Sequence, residues 1–258
     1  MLRAVLFDLD NTLIHYSERK FFESYVPGIV RLFADIMPGD VLIERLLRST
    51  NSLLHNNGEM SNAERFMNDF CAGYEGLRDE IWARFMKFYD TEYDQLRSVV
   101  SVPQGVRGIF LRLREKSVKL VIASNPIWPL AAQTTRLSWA GIGDLRFDMI
   151  THIENTTYCK PSLEYYQEIC GTIDETPEAC LMVGNDPVND MVVAHIGMKT
   201  YLVTDADEAA TELSRSGYLK APAEIPQPDF QGPLSAVVDL VEELLRGDQG
   251  KAIRANRP

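Results

Sequence analysis

The chain lacks long apolar runs and lacks an excess of basic residues. Of its 258 residues, 26 are Lys or Arg and 37 are Asp or Glu, so the formal net charge is −11. That charge argues against a broad electrostatic affinity for nucleic acid or for an anionic membrane. No segment approaches the length of a transmembrane helix. A small anionic substrate is not excluded, because a bound cation or a local group of donors can reverse the field at one site.

Cysteines are few, and no two of them have the spacing of a metal site. The four are Cys71, Cys159, Cys170 and Cys180, with no CxxC pair among them. This usage predicts free thiols in a reducing compartment. No secretory signal is predicted, because the first apolar run meets Asp8 too early for an h-region. We therefore expect a soluble, cytoplasmic protein.

Short apolar runs bounded by polar residues or glycine recur along the chain. They lie at residues 3–7, 118–124, 147–152, 179–184 and 199–204. Such runs are typical of strands buried on both faces, as in parallel sheets. Segments of helical length lie at residues 103–116, 162–170, 187–197 and 234–246. Strands alternating with helices predict an α/β fold with a doubly wound, Rossmann-like parallel sheet.

Residues 16–100 contain no strand pattern, and their apolar residues recur at helical spacing instead. We therefore predict an all-α domain inserted into the sheet domain. A loop with several prolines is expected at 219–233. The predicted division is a core domain of residues 1–14 and 101–246, a helical domain of residues 15–100, and a flexible tail of residues 247–258.

Polar residues follow four of the predicted strands. In an open parallel sheet ligands bind outside the carboxyl ends of the strands, so these residues are the candidates for function. They are Asp8, Asp10, Thr12, Ser124, Asn125, Lys160, Asp186 and Asp190. Crowded carboxylates stay ionised only beside a cation, and a site with oxygen ligands alone suits Mg²⁺. A carboxylate can also attack phosphorus, while hydroxyl, amide and ammonium groups hold phosphoryl oxygens.

Each of these residues, taken singly, also fits a purely structural role. Asp8 and Asp10 are typical turn formers. Ser124 or Asn125 fits a helix N-cap. Asp186 precedes a proline, which is the usual sequence of an N-cap followed by the first helical residue. Their occurrence together at consecutive strand ends is what favours the functional interpretation.

The segments DLDNT, ASN, KPS and GNDPVND, in this order, resemble the four motifs of the haloacid dehalogenase-like hydrolase superfamily. The resemblance covers residues 1–14 and roughly 100–205. The helical insertion directly after the first motif is similar to the C1-type cap of that family. The resemblance implies a hydrolase with a Rossmann-like core and a helical cap.

The resemblance also implies a role for each candidate. Asp8 would be the nucleophile and a Mg²⁺ ligand. Asp10 would be the general acid and base, with its backbone carbonyl facing the metal. The remaining roles are phosphoryl binding by Thr12, Ser124 and Asn125, charge compensation by Lys160, and metal binding by Asp186 and Asp190, the latter directly or through water.

The fourth motif leaves one choice open. Counting back from Asp190, a four-residue spacing selects Asp186 as the first metal-binding acid, and a five-residue spacing selects Asn185. We chose Asp186, because a carboxylate is the better Mg²⁺ ligand.

These residues predict a Mg²⁺-dependent phosphatase that hydrolyses a small phosphorylated metabolite through an aspartyl-phosphate. Asp10 argues against a haloacid dehalogenase, which needs no general acid at that position. The alternatives are a phosphomutase or another hydrolase of the superfamily, and a non-catalytic phosphometabolite sensor or interaction protein. No nucleic-acid or membrane partner is expected, and neither the substrate nor the oligomeric state follows from the sequence.

Overall fold

The structure is a computed structural model and describes residues 1–205 and 225–255. Its strands are β1 (Ala4–Phe7), β2 (Lys119–Ile122), β3 (Met149–Ile150), β4 (Cys180–Gly184), β5 (Lys199–Val203) and β6 (Phe230–Gly232). Its α-helices are α1 (Glu18–Phe33), α2 (Gly39–Leu54), α3 (Asn62–Phe70), α4 (Arg78–Thr91), α5 (Val106–Arg114), α6 (Leu130–Trp139), α7 (Leu163–Thr172) and α8 (Val237–Ala255).

The six strands form one parallel sheet in the order β3-β2-β1-β4-β5-β6. The central strand β1 is buried at all four positions, because helices cover both faces of the sheet. Its last residue, Phe7, is level with Ile122 of β2 and Val183 of β4. The predicted fold class, a doubly wound parallel sheet, is confirmed.

The structure differs from the sequence-based prediction at three places. The sixth strand, β6, lies in the segment predicted as a loop. It pairs with β5 over only three residues, which is too short for a recognisable strand pattern. Residues 187–197 contain a 3₁₀-helix at Met191–Ile196 in place of the predicted α-helix. The last helix continues past the predicted end at residue 246 to Ala255, into the segment expected to be a tail.

Helices α1 to α4 lie between β1 and α5, as the helical spacing of residues 16–100 predicts. The start of α3 has a capping box, in which Ser61 and Glu64 satisfy each other's backbone amides. That helix start is fastened to the sheet domain, because the Asn62 amide donates to the Thr156 carbonyl at 2.9 Å. The side-chain nitrogen of Asn62 also donates to Thr156 Oγ1 at 3.0 Å.

An aromatic cluster joins the inserted helices to the sheet domain. Trp128, which precedes α6, lies 5.6 to 6.2 Å between ring centroids from four rings of the insertion. These rings are Phe21, Tyr25, Tyr89 and Tyr93. Buried rings at these distances add attraction beyond their buried area. The insertion is therefore packed firmly on the face of the sheet domain that carries Trp128.

None of the helices in residues 1–205 and 225–255 is both long and apolar enough to cross a lipid bilayer. The division into domains and the cytoplasmic location stay predictions. The predicted loop at 219–233 and the predicted tail lie partly outside the described residues, at 219–224 and 256–258.

Candidate active site

The register of the sheet brings three of the predicted motifs to one edge. The Asp8 amide donates to the Val183 carbonyl at the end of β4 at 2.9 Å, and the Ala123 amide donates to the Phe7 carbonyl at 2.7 Å. Residues that directly follow β1, β2 and β4 are consequently neighbours. This is the carboxyl edge at which open α/β sheets bind ligands.

The loop after β1 turns back so that Thr12 faces Asp8. Asn11 has a φ of 60°, in the left-handed region that asparagine tolerates. The amides of Leu13 and Ile14 both donate to the Leu9 carbonyl, at 2.9 and 3.0 Å. Thr12 Oγ1 lies 3.0 Å from Asp8 Oδ2, so the turn supplies a donor to the predicted nucleophile.

Lys160 connects two buried carboxylates. Its ammonium donates to Asp8 Oδ1 and to Asp190 Oδ1, both at 2.7 Å. Burial lowers the pKa of Lys160, but the attraction of Asp190 and Asp8 outweighs it and raises that pKa well above its ordinary value. Lys160 is therefore charged at neutral pH, and it neutralises charge beside Asp8.

Asp190 is held on both of its carboxylate oxygens. Oδ1 accepts from Lys160, and Oδ2 accepts from the Asp186 amide at 3.0 Å. Burial raises the pKa of Asp190, and the ammonium of Lys160 opposes that rise. A Cβ on Gly184 would lie 2.1 Å from Asp190 Oδ2, so this close approach requires glycine. Asp190 thus positions Lys160, and both of its oxygens accept hydrogen bonds from the protein.

Asp186 uses its carboxylate within its own turn. Oδ1 accepts from the amides of Val188 and Asn189 at 2.8 and 3.1 Å, and Oδ2 accepts from Asn189 Nδ2 at 2.8 Å. The side chain that reaches the motif around Asp8 is instead that of Asn185, whose Oδ1 lies 3.0 Å from Thr12 Oγ1. This contact corresponds to the five-residue spacing, so Asn185 joins Asp186 as a candidate metal ligand, and the choice between them stays a prediction.

The predicted phosphoryl-binding residues include two buried polar atoms that have no hydrogen-bond partner in the described part of the chain. These atoms are Ser124 Oγ and Asn125 Oδ1. The Ser124 carbonyl is fixed by two donors, Thr151 Oγ1 at 2.7 Å and the Tyr165 hydroxyl at 2.8 Å. Buried polar atoms without partners are rare, and a ligand is one explanation for them. Ser124 can donate to a phosphoryl oxygen, whereas Asn125 would have to use its amide nitrogen.

Asp10 forms an ion pair that the sequence did not predict. Its Oδ1 accepts from Nη2 of Arg136 on α6, and the same nitrogen donates to the Tyr16 hydroxyl at 3.1 Å. Arg136 is fully buried. Burial lowers its pKa to about 9, which Asp8 opposes, so the guanidinium is charged at pH 7. The one available signal was a charged residue on the buried side of α6, between Ala132 and Trp139.

The fit of a divalent cation can be judged from the donor atoms. Thr12 has one hydroxyl proton but faces two acceptors, Asp8 Oδ2 and Asn185 Oδ1. The excess of oxygen acceptors at this point suits a cation. No group of three or more His, Cys, Asp or Glu that could hold a metal occurs in the described residues. Mg²⁺ needs no such cage, since it is commonly held by one or two carboxylates, waters and a substrate phosphate. Asp8 and Asn185 fit that role.

Known proteins resemble this chain in sequence and in fold. Residues 2–195 match the family model described as haloacid dehalogenase-like hydrolase. The pyrophosphatase PpaX of Anoxybacillus flavithermus is 23% identical over 199 residues, which cover 77% of this chain and 82% of that protein.

Solved structures show the same fold at low sequence identity. A HAD phosphatase from Thermococcus onnurineus is 18% identical, with a TM-score of 0.52 and coverage of 93% of this chain and 98% of its own. The L-2-haloacid dehalogenase of Xanthobacter autotrophicus is 16% identical, with a TM-score of 0.53 and coverage of 94% and 99%. Since the family model spans most of the sequence, including all four motifs, the protein belongs to the haloacid dehalogenase-like hydrolases.

Proposed function

We propose that this hydrolase is a Mg²⁺-dependent phosphatase that acts on a small phosphorylated metabolite through an aspartyl-phosphate. The observation that carries the proposal is the setting of Asp8. Its carboxylate is buried and is bonded to Lys160 and Thr12. It lies at the strand edge shared with the Ser124 hydroxyl, which has no partner among the described residues. A nucleophile, a fixed cation and a free donor are together what phosphoryl transfer requires.

In the first step an oxygen of Asp8 forms a bond to phosphorus, and the bond from phosphorus to the leaving oxygen breaks. The Asp10 carboxyl gives its proton to that oxygen. Lys160 offsets the negative charge between Asp8 and the phosphoryl group, and Ser124 donates to a phosphoryl oxygen. In the second step Asp10 takes a proton from water as the water attacks phosphorus, and Asp8 is released with inorganic phosphate.

Mg²⁺ bound by Asp8 and Asn185 would neutralise phosphoryl charge and orient the group for in-line attack. Asp186 is the weaker candidate, because both of its oxygens accept hydrogen bonds within its own turn. Asp190 accepts from Lys160 and from the Asp186 amide. The names of two relatives, a pyrophosphatase and a phosphatase, support phosphoryl transfer. Asp10 favours phosphatase over dehalogenase chemistry, because a leaving alkoxide needs a proton and a leaving halide does not.

The test is release of inorganic phosphate from 4-nitrophenyl phosphate and from pyrophosphate, with and without Mg²⁺. Wild type should turn over at least one of them in a metal-dependent way, and Asp8→Asn should not. Asp144→Asn is the matched control, since Asp144 pairs with Arg107 at the surface. A folded wild type without phosphate release, or one that releases chloride from 2-chloropropionate, would contradict the proposal.

A further inference from the structure

We infer that Arg136 is a positioning residue for Asp10, and that it governs how well the enzyme expels poor leaving groups. This inference rests on the proposed phosphatase function. Arg136 lies on α6, outside all four motifs. Its guanidinium nevertheless bonds the carboxyl group assigned to proton transfer.

The position of the guanidinium is set by several contacts. Its central carbon lies 5.5 Å from the ring centroid of Trp128 and 6.0 Å from that of Tyr16. Nη2 donates to the Tyr16 hydroxyl at 3.1 Å, and Nη1 donates to Gln133 Oε1 at 3.3 Å. Aromatic faces attract a cation, and they do so more strongly where water is excluded. Arg136 is thus fixed before any substrate arrives.

A fixed guanidinium orients the carboxyl group that it binds. Arg136 engages Oδ1 of Asp10, so the second oxygen of the same carboxyl group is the one that can exchange a proton with the leaving group. This orientation acts on proton transfer to the leaving oxygen rather than on attack by Asp8.

The contacts also tie this orientation to the inserted helices. Trp128 packs against rings of the insertion, among them Phe21 and Tyr25, at centroid distances of 6.0 and 5.6 Å. Arg136 therefore stands between the aromatic cluster and Asp10. No other arginine–carboxylate pair in the described residues has a fully buried arginine, and the rest of these pairs lie nearer the surface.

The dependence of the rate on the leaving group tests this inference. A 4-nitrophenolate leaves without a proton, whereas the alkoxide of glycerol 2-phosphate needs one. Arg136→Met should therefore lower kcat/KM for glycerol 2-phosphate about tenfold more than kcat/KM for 4-nitrophenyl phosphate. This ratio reports the step in which the leaving oxygen departs, whereas hydrolysis of the aspartyl-phosphate is common to both substrates. Asp10→Asn should show the same selectivity in stronger form. Arg136→Lys, which keeps the charge, should recover part of the loss.

Arg107→Met is the matched control, because it removes an exposed arginine–aspartate pair. It should leave both rates unchanged. Equal losses on both substrates in Arg136→Met would overturn the inference and leave the arginine a purely structural role. If that variant does not fold, Arg136→Lys decides in the same way, since a proportionate loss on both substrates again overturns it. A wild type that hydrolyses neither substrate would overturn the proposed function, and the inference with it.

Discussion

Two buried cations hold the acidic residues at the edge of the sheet, and their surroundings are different. The Lys160 side chain is 2% exposed and lies between Asp8 and Asp190, which are 10% and 1% exposed. The Arg136 side chain is fully buried, but its partner Asp10 keeps 27% of its side chain exposed. Lys160 thus pairs with two carboxylates that are nearly shielded from water, whereas Arg136 pairs with one that is partly exposed.

The difference is visible in the direction of the two pKa shifts. Carboxylate attraction outweighs burial at Lys160 and raises its pKa. Burial dominates at Arg136 and lowers its pKa to about 9. Buried basic residues therefore have two different roles in this protein. Lys160 is part of the electrostatic balance of the folded protein, whereas Arg136 mainly orients a partner that is already hydrated in part.

The largest effect is expected from Lys160→Met, which leaves Asp8 and Asp190 buried without their cation. Breaking a buried pair in this way costs about 3–5 kcal/mol of the free energy of unfolding. Urea unfolding followed by tryptophan fluorescence measures it. The double variant Lys160→Met/Asp190→Asn should regain part of the loss, because one unpaired charge is gone. A cost below about 1 kcal/mol, the range of surface pairs, would contradict the role assigned to Lys160.

Asn185→Asp adds one negative charge near Asp8 and Lys160 and no basic residue to compensate it. The new carboxylate would lie near Thr12 and Asp8, and we expect it to tighten Mg²⁺ binding roughly tenfold. Calorimetric titration of the protein with MgCl₂ measures the affinity directly. Asp186→Asn is the matched variant and should change the affinity little, because that carboxylate is bonded within its own turn. The reverse order of effects would restore Asp186 as the ligand.

Arg136→Met should cost less stability than Lys160→Met. Asp10 keeps access to water, and methionine fills much of the volume beside Trp128, so we expect a loss of about 1 kcal/mol, the upper value for pairs that water reaches. The same urea titration measures it. A loss as large as that of Lys160→Met would mean that the exposure of the carboxylate partner does not govern the cost.

A pH-dependent effect is expected at Glu18, the first residue of α1. Burial and the charge of Asp186 raise its pKa from 4.5 to about 7. The folded protein therefore binds this proton more tightly than the unfolded chain, so the free energy of unfolding falls as the pH rises from about 4.5 to 7. Glu18→Gln should make the urea midpoint of unfolding less dependent on pH within that range. An unchanged pH slope would show that Glu18 does not titrate there.

Local pattern was enough to predict the sheet and the placement of its polar ends. Five apolar runs became five parallel strands, and Asp8 and Ser124 lie at the predicted edge. The strand β6 was missed, because three residues carry too little pattern. The segment 187–197 was predicted as an α-helix, but Asp190 turns inward to Lys160 and the chain forms a 3₁₀-helix instead.

The sequence by itself therefore determined the fold class, the family and the order of the four motifs, because these depend on periodicity and on residues close together in the chain. The tertiary structure decided which side chains meet. It placed the side chain of Asn185 rather than that of Asp186 against Thr12, which spacing alone does not reveal. It also brought Arg136 to Asp10 across 126 positions of the chain. Pairings of that kind arise from packing around a common core, and no local pattern records them.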